Sequence, residues 1–377
     1  MKPTVPRPVV GPPIFEGVQV LRFVAALLVV VTHSRFYAKE LLDDSIVVAG
    51  GGFLGVTLFF IISGFVMTIT AAPFDVPGGW RFFAVRRLVR IVPMYWIATT
   101  LKIAAILVVP GAVLQAGFTP WSGVASYLLL PTRNPDGDVA PLLGVGWTLT
   151  FEMFFYVVFA LGLLLRRDVL VFASTVMILV ASGQLVRGDE GWPTWAFYFD
   201  GIVLYFVIGM VLGRIVLRPD ARRRLLVALG VAVGLIVAGA FTPDGVSWEH
   251  DGLARKGMVA GVFVVVLLAE PLVERFREQA VTDGFLLRPL RYLGDASYSL
   301  YLFHPLIGPA VPAALAVIGL RSGALSVVGS VTVSIVSGAV IHRVVEKPIT
   351  RKLRGLRYAG LPAAGSSPPL APERPAG

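Results

Sequence analysis

Apolar residues fall into ten long blocks, roughly 18–37, 53–71, 89–109, 147–165, 169–186, 196–217, 222–241, 256–273, 297–319 and 323–345. Each is near the ~20 residues that a helix needs to cross the hydrocarbon core. The pattern predicts an all-α, polytopic membrane bundle of about ten transmembrane helices.

The charges between the blocks orient that bundle. With the N-terminus in the cytoplasm, 24 of the 33 Lys and Arg fall in cytoplasmic segments and only seven in external ones. Arg22 and Lys102 lie within spans. The inside clusters include RRLVR (86–90), RR (166–167), RRR (222–224) and RKLR (351–354). By the positive-inside rule both termini are expected in the cytoplasm. The net charge of +10 is therefore a topology signal facing anionic membrane lipids, and no nucleic-acid partner is expected. Composition agrees: the chain is 56% hydrophobic and 15% charged, against about 25% charged in ordinary soluble domains. Its mean hydropathy is +0.79. The absence of Cys excludes disulfides and thiol nucleophiles. Four His without ligand-like spacing give no metal site, and His250 and His342 are taken as surface residues.

One membrane domain is expected over 15–350. The Pro-rich segment 1–14 and the basic, then Pro/Ala-rich, tail 351–377 are expected to be disordered. No small-residue cleavage site follows the Pro-rich start, so the first span is expected to be retained. The long external connection at about 110–146 contains GFTPWSGVASY, which suits a short interfacial helix. The cytoplasmic connection 274–296 is expected to be partly helical.

Ionisable residues inside spans are costly and mark candidate chemistry. Arg22 and His33 close the run RFVAALLVVVTH (22–33). Eleven residues at 3.6 per turn are close to three whole turns, so the two share one helix face, about 16 Å apart along the axis. Snorkelling and an interfacial histidine are the plain alternatives. Glu152, in WTLTFEMFFY (147–156), lies one and a half turns into its helix. It is expected at a depth similar to His33, where it would orient the ring and raise its basicity. Ser297, Tyr301 and His304 share a face in SYSLYLFHPLI (297–307), and interhelical packing competes with a functional role. Lys102 is read as structural. In GGGFLGVTLFFIISGF (50–65) small residues permit close helix approach, and Ser63 is the hydrogen-bonding side chain. RRLVRIVPMYW (86–96) sets Arg86 and Arg90 on one face with Arg87 beside them. That cluster suits phosphate groups, and also plain topology.

Together these stretches resemble the acyltransferase 3 family of bacterial membrane proteins. The pieces occur in order: Arg22-x10-His33; G-x-x-G-V-x-x-F-F-x-x-S-G-F over Gly52, Gly55, Val56, Phe59, Phe60, Ser63, Gly64 and Phe65; RRLVRIVPMYW; the stretch with Glu152; the stretch with His304; and a closing EKP (346–348). The likeness covers about residues 15–348. LRFVAALLVVVTH and PLLGVGWTLTFEMFFY look most like the exopolysaccharide O-acetyltransferases that act on succinoglycan-type polymers.

The resemblance implies a multi-pass enzyme of the bacterial cytoplasmic (inner) membrane. It would move an acyl group, most often acetyl, from cytoplasmic acyl-CoA to a hydroxyl of a polysaccharide or lipid-linked oligosaccharide. Acyl-CoA is then a co-substrate, and no bound cofactor is expected. Some members carry an extra extracytoplasmic esterase-like domain; none is read here, so the acceptor is expected to react at the membrane domain. On this reading Arg22, Arg86, Arg87 and Arg90 bind acyl-CoA and His33 is the general base, oriented by Glu152. Ser63, Tyr301 or His304 would contact the thioester carbonyl. An acyl-histidine intermediate fits the same residues. Acylation of a macrolide or lipid is the alternative within the family. A polysaccharide or lipid transporter is the alternative outside it, although the internal repeats common in transporters are not evident.

Overall fold

The computed structural model describes residues 15–48, 51–109, 117, 119–134, 137–188, 191–239, 241, 252–279 and 287–355. His250, the segment 1–14 and the tail beyond 355 lie outside them.

All ten apolar blocks contain helix. They correspond to α1 (Glu16–Leu41), α2 (Gly51–Ile69), α3 (Gly79–Val108), α5 (Trp147–Leu164), α6 (Val169–Ser182) continued by the single turn α7 (Gln184–Arg187), α8 (Leu204–Val216), α9 (Ala221–Gly239), α10 (Leu253–Gln279), α12 (Ser297–Ile307) continued by α13 (Ala310–Val317), and α14 (Gly323–Ile341). Among the described residues, eight of these helical segments are long and apolar enough to cross a membrane. The two that fall short of the expected ten have visible reasons. The block 196–217 begins as separate 3-10 turns, one of them capped where the Asp200 carboxylate accepts the Ile202 N–H at 2.8 Å. Its apolar helix spans only Gly201–Val216. Helix α9 carries Arg222, Arg223 and Arg224 in its first turn. An ion pair shows how α8 nonetheless runs: Arg214 near its C-terminus reaches Asp168, just before α6, at 2.5 Å. The start of α6 and the end of α8 therefore lie at the same side, which makes the two antiparallel.

Shorter helices fill the connections. α4 (Pro120–Tyr127) falls in the predicted interfacial stretch. Thr119 and Ser122 cap it reciprocally, each side chain accepting the other's backbone N–H, at 3.1 and 2.9 Å. α11 (Leu287–Asp295) and the extension of α10 to Gln279 supply the helix expected over 274–296. A π-helical turn, His342–Glu346, joins α14 to α15 (Lys347–Gly355), so helix continues past the boundary expected at 350.

α1 is the hub and packs against α2, α10, α11, α12 and α14. Its buried residues Val18, Leu21, Ala25, Ala26, Val29 and Val30 recur at helical spacing. With no hydrophobic drive between helices in lipid, close van der Waals approach has to hold the bundle. Glycines provide it. A Cβ on Gly64 of α2 would collide with the Phe206 carbonyl of α8, and one on Gly209 of α8 with the Ile61 carbonyl of α2. Aromatic rings fill the space beside this seam, with Phe206 stacked on Phe60 at 4.5 Å and on Phe155 at 4.4 Å. The N-terminus of α1 is tied down from α10: the Glu270 carboxylate accepts the backbone N–H groups of Glu16 and Gly17. Two N–H groups that the helix cannot satisfy itself are thereby paired.

Candidate active site

A cavity of about 180 Å³ runs between α1, α2, α3, α5 and α12. Arg22 and Gln19 of α1 and Arg90 of α3 line its inner end, and Arg22 donates to the Gln19 side chain at 3.1 Å. Arg87 is buried beside it, with its guanidinium over the rings of Phe83 (5.4 Å) and Tyr156 (5.7 Å). Its Nε has no hydrogen-bond partner among the described residues. Arg86 points the other way. It is exposed and lies over Phe82 at 4.6 Å. The expected three-arginine cluster on α3 is thus two inward arginines and one outward. The cluster also sits two turns inside α3 rather than at its start, because α3 begins at Gly79.

Glu152 lies on the cavity wall. Its Oε1 accepts from the Ser63 hydroxyl at 2.9 Å and from the Tyr156 hydroxyl four residues on. The wall around it is apolar, with Val56, Phe59, Phe60, Ile62, Val66 and Leu149. At the outer end the Tyr301 hydroxyl donates to the Val145 carbonyl at 3.0 Å and pairs with Thr148 Oγ1 at 2.8 Å. Phe59 meets the Tyr301 ring edge-on at 5.6 Å.

Beyond Tyr301 stand two stacked histidines, His33 of α1 and His304 of α12, with ring centroids 5.0 Å apart. His33 Nδ1 and His304 Nε2 are 2.7 Å apart, and His304 Nδ1 lies 2.8 Å from the Tyr301 carbonyl and 3.3 Å from that of Leu300. The acceptors set the tautomers. Carbonyls only accept, so His304 Nδ1 carries a proton and its Nε2 presents a lone pair. His33 Nδ1–H must then be the donor between the rings, which leaves the lone pair of His33 on Nε2. A neutral histidine held in one tautomer with a basic nitrogen available is equipped for proton abstraction.

The expected Glu152–His33 pair does not form. Thr148 is level with Tyr301; Glu152 lies four residues inward of Thr148, and His304 three residues outward of Tyr301. At 1.5 Å per residue, Glu152 and His33 are on the order of 10 Å apart in depth. Depth counted from each helix end does not transfer between these helices, because α1 continues eight residues past His33, to Leu41. His304 takes the partner role instead. His342, expected at the surface, is partly buried, and its Nδ1 is 2.9 Å from Glu346 Oε2, which also accepts from Ser299 at 2.6 Å. The residues missed from sequence are Tyr156, Thr148, Gln19 and Tyr298, all on the cavity wall. Tyr156 had a signal, since it follows Glu152 by one helical turn.

The bundle thus holds arginines at one end of an internal cavity and a hydrogen-bonded pair of histidines beyond the other, in a polytopic helical membrane protein. The chain is a member of the acyltransferase 3 family: the family model, described as an acyltransferase domain, matches residues 15–344. It is a multi-pass membrane acyltransferase. Over 321 residues it is 33% identical to the exopolysaccharide production protein ExoZ of Rhizobium meliloti (strain 1021), covering 82% of this chain and 93% of that protein. Over 386 aligned positions it is 27% identical to the acyltransferase MdmB of Streptomyces mycarofaciens, covering 93% of this chain and 96% of that protein.

Proposed function

We propose that this acyltransferase moves an acetyl group from cytoplasmic acetyl-CoA to a hydroxyl of an exported polysaccharide or its lipid-linked precursor, across the bacterial cytoplasmic membrane. The observation that carries the reading is the arrangement along one axis: Arg22 and Arg90 at the inner end of a cavity, Arg87 against Tyr156 of its wall, and the His33–His304 pair beyond its outer end. Likeness to an exopolysaccharide production protein supports the choice of acceptor.

The donor fits the inner end on chemical grounds. A nucleotide bearing phosphates is matched by three guanidinium groups, one of them with a buried, unpaired Nε–H. The acyl arm then points outward along the apolar wall. Tyr301 stands between the cavity and the histidines, so the thioester reaches His33 when that side chain turns from Val145. Its hydroxyl is then the nearest donor to the thioester carbonyl oxygen, where negative charge develops. The acceptor arrives from the external side. His33 Nε2 removes the hydroxyl proton as the oxygen attacks the carbonyl carbon. The new C–O bond replaces the C–S bond, and the departing thiolate takes the proton from His33. Ser63 holds Glu152 and takes no part in the proton path.

The test is transfer from radiolabelled acetyl-CoA by the purified protein in lipid nanodiscs, with a lipid-linked oligosaccharide as acceptor. Labelled oligosaccharide is expected, and His33→Ala should lower kcat about 10²- to 10⁴-fold while the variant melts like the parent. Label recovered only in a lipid or a macrolide would replace the acceptor. Undiminished transfer by His33→Ala would remove the histidine from the mechanism.

A further inference from the structure

Glu152 is a carboxylate in a cavity whose inner end is built for anions, and it touches neither histidine. Both hydroxyls that bond it, Ser63 and Tyr156, fall on Oε1. Two hydroxyls donating to one oxygen fit an ionised carboxylate. The lone pairs of Oε2 are left for whatever fills the cavity. Tyr301, held to Val145 and Thr148, stands at one end of the lining and Arg22 and Arg90 at the other, so on the donor reading a ligand that meets Glu152 enters from the arginine side. An anionic part of that ligand would be repelled there and held back at the arginines. A neutral N–H donor would be bound.

We propose, building on the donor reading above, that Glu152 recognises the pantetheine arm of the donor by accepting its amide N–H groups. The dimensions agree. The cavity is lined along α2 from Val56 to Met67, eleven residues or about 16 Å of helix. Thirteen bonds separate the thioester sulfur from the first phosphorus of CoA, roughly 15 Å at the ~1.2 Å per bond of an extended chain. With the sulfur level with Tyr301, Glu152 lies one turn inward, about 6 Å. The two amide nitrogens of the arm are three and seven bonds from sulfur, roughly 4 and 8 Å. The carboxylate thus falls between them. The apolar wall from α2 and Leu149 faces the methylene and dimethyl groups of the same arm.

The experiment alters protein and donor together. Initial rates are measured in nanodiscs with acetyl-CoA and with two S-acetylpantetheines, one natural and one in which both amide N–H groups are replaced by ester oxygen. The wild type should prefer the amide over the ester donor by about 10- to 100-fold in kcat/KM, the range for a hydrogen bond to a charged group. In Glu152→Ala that preference should fall to near one, with the loss of acetyl-CoA turnover appearing in KM. Glu152→Gln, which keeps an acceptor oxygen and the Ser63 and Tyr156 contacts, should retain part of it. A preference that survives Glu152→Ala in a variant of normal melting point overturns the proposal and leaves the donor reading standing. So does a loss confined to kcat with a shifted pH profile, which would return Glu152 to proton handling. A wild type that transfers nothing from acetyl-CoA overturns the donor reading itself.

Discussion

The two histidines define what single side chains contribute. His304 donates from Nδ1 to backbone carbonyls and accepts from His33, so under the proposed mechanism it would act only through the tautomer and orientation of His33, as a positioning residue. His304→Phe removes the acceptor and frees the His33 ring, and kcat should fall on the order of 10²-fold, short of the full loss of the base. His304→Gln restores an acceptor oxygen and should recover part of the loss. Equal activity in the two variants would exclude the positioning role. Arg22, His33, Glu152 and Ser63 all stood out in the sequence as polar side chains among apolar ones. Their pairing did not. His33 and His304 are 271 residues apart, and nothing local links them. Depth counted from helix ends misled for Glu152, because α1 overshoots its apolar block by four residues.

Helix contacts tell a similar story one level up. The glycines of G-x-x-G-V-x-x-F-F-x-x-S-G-F read as packing residues, and Gly64 and Gly209 meet the facing backbones at the α2–α8 seam. Gly64→Ala forces those helices apart and should cost about 1–3 kcal/mol, seen as a lower melting midpoint in nanodiscs. Gly230→Ala, in α9, is the control. A Cβ there meets nothing within 4 Å, so the change should be neutral or should stabilise by up to about 1 kcal/mol. Equal melting of the two variants would show that the seam tolerates separation. Block boundaries were the least legible feature. α3 begins ten residues earlier than the apolar run suggests, because RRLVR is helical although it is charged, and block hydropathy sees only the lipid-facing part of a helix.

For the bundle as a whole, the sequence predicts ten crossings, and eight helical segments meet the length and hydropathy of a span among the described residues. The antiparallel run of α6 and α8, fixed by Arg214 and Asp168, favours a crossing through the broken segment 196–217. The chain lacks Cys, so introduced thiols report sidedness cleanly. Arg321→Cys, in the turn between α13 and α14, should react with an impermeant maleimide in intact cells. Arg218→Cys, between α8 and α9, and Arg351→Cys should react only after permeabilisation. External labelling of Arg218→Cys would mean that α8 does not complete its crossing, and would reduce the count of spans.

The latch of Tyr301 on Val145 and Thr148 has an electrical meaning. On the proposed reading, in which one substrate arrives from each side of an energised membrane, the two openings must never join, since a continuous watery path would short-circuit the proton gradient. One phenol ring, braced edge-on by Phe59, stands between the cavity lining and the histidine pair, where that barrier would have to lie. Tyr301→Gly is therefore expected to discharge a pH gradient imposed on proteoliposomes, followed with an entrapped dye, while the wild type holds it. If the variant holds the gradient as well, the insulation lies elsewhere in the bundle.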